Sequence, residues 1–413
     1  MKQRLILPIL FLITLLVPAY SQEQSSTFLT VSGVVVDGRE KLAYVSVGIK
    51  GSTMATITNE DGWFSLKIPK TEKDITLVIS HVGYHATELT RAAADAHDMK
   101  ISLTPYHKTL EGARIIGEDA EHILFTALQK IRQNYPMSPV MQRGFYRETV
   151  QKGKKYTSVS EAVVDMFKYA YNRDTDMDRV RVLKGRKLMS QKSADTLGVK
   201  LLGGPNLTLA LDVVKNHDDL FYNLDLPKYS YSMEESTVIE ERPVYVIKMT
   251  PKRKEDRYPL YNARVFIDKE KLAIMRVEYS VDMEDTNLVT ASILRRKPSG
   301  IHFEPLGVDF IASYRMLGDV TVMQYVRSSI KFKCDWRKRL FSSSFAVVSE
   351  VVATDIATEN IDPIIYKEAF KERDSFSDRV NDFADPHFWG DYNILEPSES
   401  LEHAVERLRR RAR

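Results

Sequence analysis

Nine histidines are scattered along the chain. His81 and His85 stand four apart, a spacing that sets two imidazoles on one helix face for zinc. Here they flank Gly83 in a strand-to-turn segment, where four residues separate two side chains on the same face by ~13 Å. No His-Glu-x-x-His sequence occurs. Asp174, Asp176 and Asp178 alternate like the start of a calcium loop. The sixth position is Arg179 instead of glycine, however, and the twelfth is Gly185 instead of glutamate. With Arg173 and Arg181 beside them, these acids read as a charge-balanced loop. Ser328-Ser329-Ile330-Lys331 fits a Ser-x-x-Lys pattern. That chemistry starts from a serine at a helix start with Ser-Asp-Asn and Lys-Thr-Gly partners, whereas this tetrad lies in a strand pattern without them. Glu234-Glu235 and Glu240-Glu241 are adjacent pairs, which on a strand point to opposite faces. No phosphate-cradling glycine loop and no nucleophile elbow is present. The sequence therefore names no catalytic residue, no metal ligand and no cofactor. A hydrolase site assembled from distant residues stays open as an alternative.

Two segments could meet a partner. Around Asp385-Pro386, the residues His387, Phe388, Trp389 and Tyr392 form an aromatic-rich loop, and Trp and Tyr anchor many interfaces. The competing reading tucks these rings into the nearest sheet. Arg407, Arg409, Arg410, Arg411 and Arg413 cluster at the end. They could touch anionic lipid at a membrane surface, or simply close the last helix, where cations suit the negative dipole end.

Composition bounds what carries these segments. A chain of 413 residues, 43% hydrophobic and 28% charged, implies two or three ordinary globular domains. A formal charge of +3 leaves no global basic field for nucleic acid. Lys2 and Arg4, the apolar run Leu5 to Val17, and Ala19-Tyr20-Ser21 are the three parts of a cleavable secretory signal. Residues 1–21 are thus expected to direct export, and no later run is long enough for a membrane helix. The single cysteine, Cys334, has Phe332 and Trp336 at strand spacing on either side and reads as a buried small hydrophobe.

Residues 28–105 alternate with period two. Ala43 to Lys50 has apolar odd positions. Phe64, Leu66 and Ile68, then Ile75, Leu77 and Ile79, then Met99, Ile101 and Leu103 repeat the pattern. Asp37-Gly38, Gly51-Ser52 and Asn59-Glu60-Asp61-Gly62 separate the runs. Short strands at this spacing predict a β-sandwich. Gly33-Val34-Val35-Val36-Asp37, Ala43-Tyr44-Val45-Ser46-Val47, Lys50-Gly51-Ser52, Thr58 to Leu66 and Ser80-His81-Val82-Gly83-Tyr84 follow in an order and spacing that resemble the carboxypeptidase-regulatory-like domain. The resemblance implies a seven-stranded, transthyretin-like sandwich, a binding or docking module without catalytic residues, and a place in a Gram-negative envelope.

Residues 106–413 are expected to form an α+β domain. Helical spacing predicts a helix from about Asp119 to Asn134, ended by Pro136, and another over Asn206 to Lys215. Val159 to Tyr171 is read as a strand. Strands then follow at 244–249, 262–268, 273–279, 288–296, 308–317, 320–335 and 344–354. A last helix starts near Glu396-Pro397-Ser398, with Leu401, Val405, Leu408 and Ala412 facing inward. The order Val244 to Lys248, Val265 to Glu270, Ile274 to Glu278 resembles the lipoprotein-carrier half-barrels, which implies a curved antiparallel sheet against helices. The whole reads as a mainly β, exported, non-catalytic binding or docking protein of the cell envelope, periplasmic or outer-membrane-associated. The alternative is a carrier of a lipid or apolar ligand.

Overall fold

The computed structural model describes residues 27–107, 119–173, 175–190, 199–201, 203–221, 228–252, 258–336, 342–385, 390 and 392–412. The signal segment expected at 1–21 lies outside them.

The N-terminal strands are β1 (Phe28–Asp37), β2 (Glu40–Lys41), β3 (Ser46–Ile49), β4 (Ala55–Ile57), β5 (Trp63–Pro69), β6 (Asp74–Ser80), β7 (Tyr84–His85), β8 (Thr87–Ala92), β9 (Met99–Ser102) and β10 (Thr104–Pro105). One four-stranded sheet is built on β1, which pairs with β2, β5 and, in parallel, β9. The other runs β4-β3-β6-β8, and β7 pairs with β10. Val31, Val35, Val47, Leu66, Leu77 and Ile79 are fully buried between the sheets. At the Asn59–Gly62 turn, Gly62 adopts φ +73°, and a Cβ there would meet the Val35 carbonyl oxygen at 2.7 Å. Glycine is therefore required on two counts. The strand expected over Ala43–Lys50 is shorter, because Tyr44 sits at φ +60° and turns its ring out of the sandwich.

The rest of the chain builds one ten-stranded antiparallel sheet. Its strands are β11 (Val140–Lys152), β12 (Lys155–Lys168), β13 (Arg179–Met189), β15 (Tyr229–Ile239), β16 (Arg242–Pro251), β17 (Tyr261–Asp268), β18 (Ile274–Val281), β20 (Ile301–Leu317), β21 (Val320–Trp336) and β22 (Ser343–Ala357). The order across the sheet is β13-β12-β11-β22-β21-β20-β18-β17-β16-β15. Two short strands, β14 (Lys200–Leu201) and β19 (Leu294–Arg296), pair separately. The inner face is covered by α1 (Ala120–Gln129), α2 (Ile131–Asn134), α3 (Leu207–Ala210), α4 (His217–Phe221) and α5 (Thr286–Ile293). α6 (Phe376–Arg379) and α7 (Glu399–Ala412) close the chain.

Two expectations fail here. The strand expected at 288–296 is helix α5 up to Ile293. Asp285 caps it by accepting from the Asn287 and Leu288 amides at 2.9 and 3.0 Å, and Val289 and Ile293, four apart, are both buried. The helix expected over Asn206–Lys215 stops after α3, because the Asp212 side chain is drawn into the core.

The sandwich docks on the outer face of the large sheet. Tyr44 stacks on Tyr325 with ring centroids 5.6 Å apart. Gln324 donates to Ser46 (2.7 Å), and Thr53 donates to Asp355 (2.6 Å). The Gly83 amide donates to the Val238 carbonyl at 3.0 Å. The C-terminal segment straps both halves together. Asn393 accepts from the Lys67 amide (2.5 Å), Asn59 donates to the Pro397 carbonyl (2.8 Å), and Asp61 accepts from the Glu399 amide (2.6 Å) at the start of α7.

His81 lies at this interface beside a pocket of about 40 Å³. Burial and the nearby Arg276 charge pull its imidazole from 6.5 down to about 4. Below pH 6.5 the unfolded chain takes up a proton that the docked state refuses. Stability is therefore expected to fall between pH 6.5 and 4, by up to about 3 kcal/mol at ~1.4 kcal/mol per pH unit. Urea denaturation at pH 7.5 and 4.5 measures this loss, and His81→Phe should shrink it.

Candidate functional site

Sheet register defines a feature that no local motif announced. Reading straight across all ten strands gives Lys187, Ser160, Glu148, Ser349, Ser328, Phe310, Tyr279, Ala263, Met249 and Tyr231. Each pair is directly opposite, so the ten side chains form one belt on the inner face. Its second half is apolar or aromatic. Its first five members are polar, and Ser160, Ser328 and Ser349 are buried. This polar stretch lies between two hydrophobic clusters. Tyr146, Ala162, Val326 and Val351 belong to one, and Val150, Val347, Ile330 and Val308 to the other. Polar groups in such a place cost free energy unless something satisfies them.

Glu148 is the centre of the stretch. Tyr146 donates its phenol to the Glu148 carboxylate at 3.1 Å and accepts from the Gly204 amide at 3.1 Å. Burial pushes the Glu148 carboxyl above the usual carboxylate range, against the Tyr146 hydrogen bond and the Lys187 charge. Burial likewise pushes the Lys187 ammonium down, with Asp378 opposing and Lys200 reinforcing that shift. Acid and base are thus both moved toward their neutral forms by burial, which together with the cleft makes them functional-site candidates. A carboxyl raised in the folded state favours folding at low pH and opposes it as pH rises. Glu148→Gln should therefore match the wild type below about pH 4 and gain up to about 1 kcal/mol at pH 8, comparable to one net hydrogen bond. Paired urea titrations at the two pH values test it.

The stretch opens into a cleft of about 430 Å³, within the ~300–1,000 Å³ range of small-molecule sites. Glu148, Asp378, Lys187, Lys200, Arg295, Arg296 and Arg373 supply its charged lining. Val150, Met189, Val199, Leu201, Val347 and Phe376 supply its apolar lining. The cleft can hold a ligand by apolar contact, hydroxyls and cations. The Ser160 hydroxyl, opposite Lys187, is sealed in the core at 1% exposure, out of reach of an entering carbonyl.

The residues singled out in the sequence lie elsewhere. His387, Phe388 and Trp389 fall outside the described residues. Tyr392 packs between Arg143 and Lys184, whose charges lie 5.6 and 5.3 Å from its ring centre. Arg409 and Arg410 are exposed on α7, with Arg410 3.6 Å from Glu406. The Arg411 side chain and Arg413 are outside the description. His85 faces Glu241 at 3.3 Å and Tyr106 at 5.5 Å, while His81 lies over Tyr84. Asp178 turns inward to Lys215 at 2.6 Å. Cys334 is buried with its thiol pushed up to about 11 by burial. Ser328 joins the belt, whereas Lys331, three residues on, is exposed on the opposite face.

Residues 31–115 match the sequence model of the CarboxypepD_reg-like domain. The N-terminal sandwich is a CarboxypepD_reg-like domain. Its Asn59–Gly62 turn, part of the motif that carried the resemblance, is the turn that holds Pro397 and Glu399. Among curated proteins no relative matches the chain. Among solved structures the chain is similar to an outer-membrane lipoprotein-sorting protein domain from Vibrio parahaemolyticus, at 11% identity, 60% of this chain, 96% of that one and a TM-score of 0.28. It is also similar to a LolA-superfamily protein from Nitrosomonas europaea, at 10% identity, 62% and 99% coverage and a TM-score of 0.23. The MucA/MucB complex of Pseudomonas aeruginosa gives 14% identity, 59% and 100% coverage and a TM-score of 0.18. No helix among the described residues is long and apolar enough to cross a membrane.

Lys187 and Glu148 were missed because each is an ordinary charged residue in an ordinary strand. One local signal existed. Arg147-Glu148 places two charges side by side between Phe145-Tyr146 and Val150 in one strand, so one of them must face inward.

Proposed function

We propose that the chain is a non-catalytic binding protein exported to the cell envelope, whose ligand enters the cleft beside Glu148. The observation that carries this reading is the polar stretch Lys187-Ser160-Glu148-Ser349-Ser328, set between two apolar clusters and reaching the cleft at Lys187 and Glu148. A carboxyl pushed toward neutrality and a half-buried lysine, the two members of the stretch that line the cleft, suit holding a polar group. Export is supported by the three-part N-terminal pattern of residues 1–21. The CarboxypepD_reg-like sandwich acts as a docking half. It has already docked one side on this chain's own sheet, and Trp63, 40% exposed, with β8 remains for an outside partner.

Native mass spectrometry with solvent extraction, on protein purified from its own envelope, tests the reading. A small molecule retained by the wild type and lost from Met189→Glu supports it, since Met189 lines the cleft and is exposed enough to be replaced without unfolding. A reproducible hydrolytic activity abolished by Glu148→Gln or Lys187→Met would replace it with an enzyme.

A further inference from the structure

We infer that the ligand of this cleft is an amphiphile with a single anionic head group, a carboxylate or a phosphate, seated at Lys187 and Arg296 with its chain against Val150, Val199 and Val347. The inference rests on the binding-protein reading above and adds the chemistry of the ligand.

Charge balance is the first argument. The cleft carries five cations, Lys187, Lys200, Arg295, Arg296 and Arg373, against two carboxylates, Glu148 and Asp378. Lys200 is neutralised by Asp378 at 2.7 Å, and Arg373 lies 3.9 Å from Asp374. The other three have no acidic partner within 4 Å among the described residues. Lys187 donates to the Ser377 carbonyl at 2.5 Å, and Arg295 to the Glu372 carbonyl at 2.8 Å. These bonds orient the side chains without neutralising them. A lysine has three donors and an arginine five, so unused donors remain for an incoming oxyanion. Glu148 is a weak competitor for them, because burial favours its neutral form.

Apolar continuity is the second argument. Val150, Val199 and Val347 belong to one hydrophobic cluster with Ile330, Phe332 and Phe345. At the mouth, Met189 remains 42% exposed. An extended hydrocarbon beginning at Lys187 would run along this wall and cover Met189. A neutral lipid would cover the half-buried Lys187 without giving it a counter-ion, which is costly, while the exposed Arg295 and Arg296 stay in water at the rim. A bare anion would satisfy the cations and leave Met189 at the mouth in water. A ligand carrying both parts satisfies both.

The test uses the full mature chain after solvent extraction and calorimetric titration with dodecanoate, dodecyl phosphate, dodecanol, methyl dodecanoate and inorganic phosphate, all below micelle-forming concentrations. Dodecanoate and dodecyl phosphate are expected to bind at least ~tenfold more tightly than dodecanol, the ester or inorganic phosphate. Lys187→Gln with Arg296→Gln should remove that preference while dodecanol binding is unchanged. The comparison among ligands on the wild type stands even if the double variant fails to fold. Equal binding of dodecanol and dodecanoate overturns the anionic head and leaves the binding reading intact. Inorganic phosphate binding as tightly as dodecyl phosphate overturns the chain. If no amphiphile binds while the envelope-purified protein still retains a cleft ligand, the inference fails and the binding reading survives. If nothing is retained either, both fail.

Discussion

Lys168→Met is expected to cost about 3–5 kcal/mol of stability, the usual loss when one partner of a buried ion pair is removed. Lys168 is 1% exposed and Asp212 0%, and the two form a direct ion pair. Tyr171 and Tyr314 donate their phenols to the same carboxylate at 2.6 and 2.8 Å. Burial by itself would raise the Asp212 carboxyl. The Lys168 charge, with the hydrogen bonds from Lys168, Tyr171 and Tyr314, outweighs it and holds the group below the ordinary carboxylate range. In the wild type this group therefore adds stability at neutral pH that is lost as pH falls through the acid range. Without Lys168, burial dominates and the sign reverses, so the variant should be weakest at high pH. Urea denaturation at pH 3, 5 and 8 reads both effects, the wild-type loss below pH 4 and the variant's loss from pH 5 to 8. Adding Asp212→Leu should recover part of the loss, because the uncompensated charge goes with it. A loss below about 1 kcal/mol would mean that water reaches Asp212 and that the network is not the anchor of the segment after α3.

Arg147→Leu is the second large effect, at about 3 kcal/mol. Arg147 is 3% exposed on the outer face and pairs with Glu161, itself 1% exposed, at 2.9 Å. It also donates to the Leu395 carbonyl at 2.6 Å and lies 3.8 Å from Glu350. Glu161 keeps Arg186 at 2.5 Å, which places the cost at the lower end of the buried-pair range. The local effect is more specific. Leu395 is buried beside Ile57 of the sandwich, Phe145 and Tyr325, so losing its anchor should loosen the strap that joins the two halves. Limited proteolysis should cut the variant faster between residues 385 and 399, together with the drop in urea midpoint. Loss of stability with the strap still protected would assign Arg147 to the sheet alone.

Both sites lie at junctions between distant segments, and this is where reading the sequence stopped. Alternation in Phe64-Ser65-Leu66-Lys67-Ile68 and its neighbours determined the sandwich, because a strand with one buried face shows period two. The Asn59–Gly62 turn was legible because only glycine suits φ +73° there. The runs from 244 to 279 were legible as successive antiparallel strands, since local turns fix their pairing. That β11 pairs with β22, two hundred residues later, was not, because pairing at that range depends on which faces fit once the sheet forms. The same pairing places Glu148 beside Ser349 and so creates the polar belt. The inward turn of Asp212 after α3 had no local mark either, as its partner Lys168 lies at the end of β12. The sequence by itself determined the export signal as an expectation, the CarboxypepD_reg-like sandwich and the β-rich second half, because these follow from local periodicity and turn chemistry. Tertiary structure alone decided the cleft, its uncompensated cations and the strap, because each is made by side chains that meet only through long-range register.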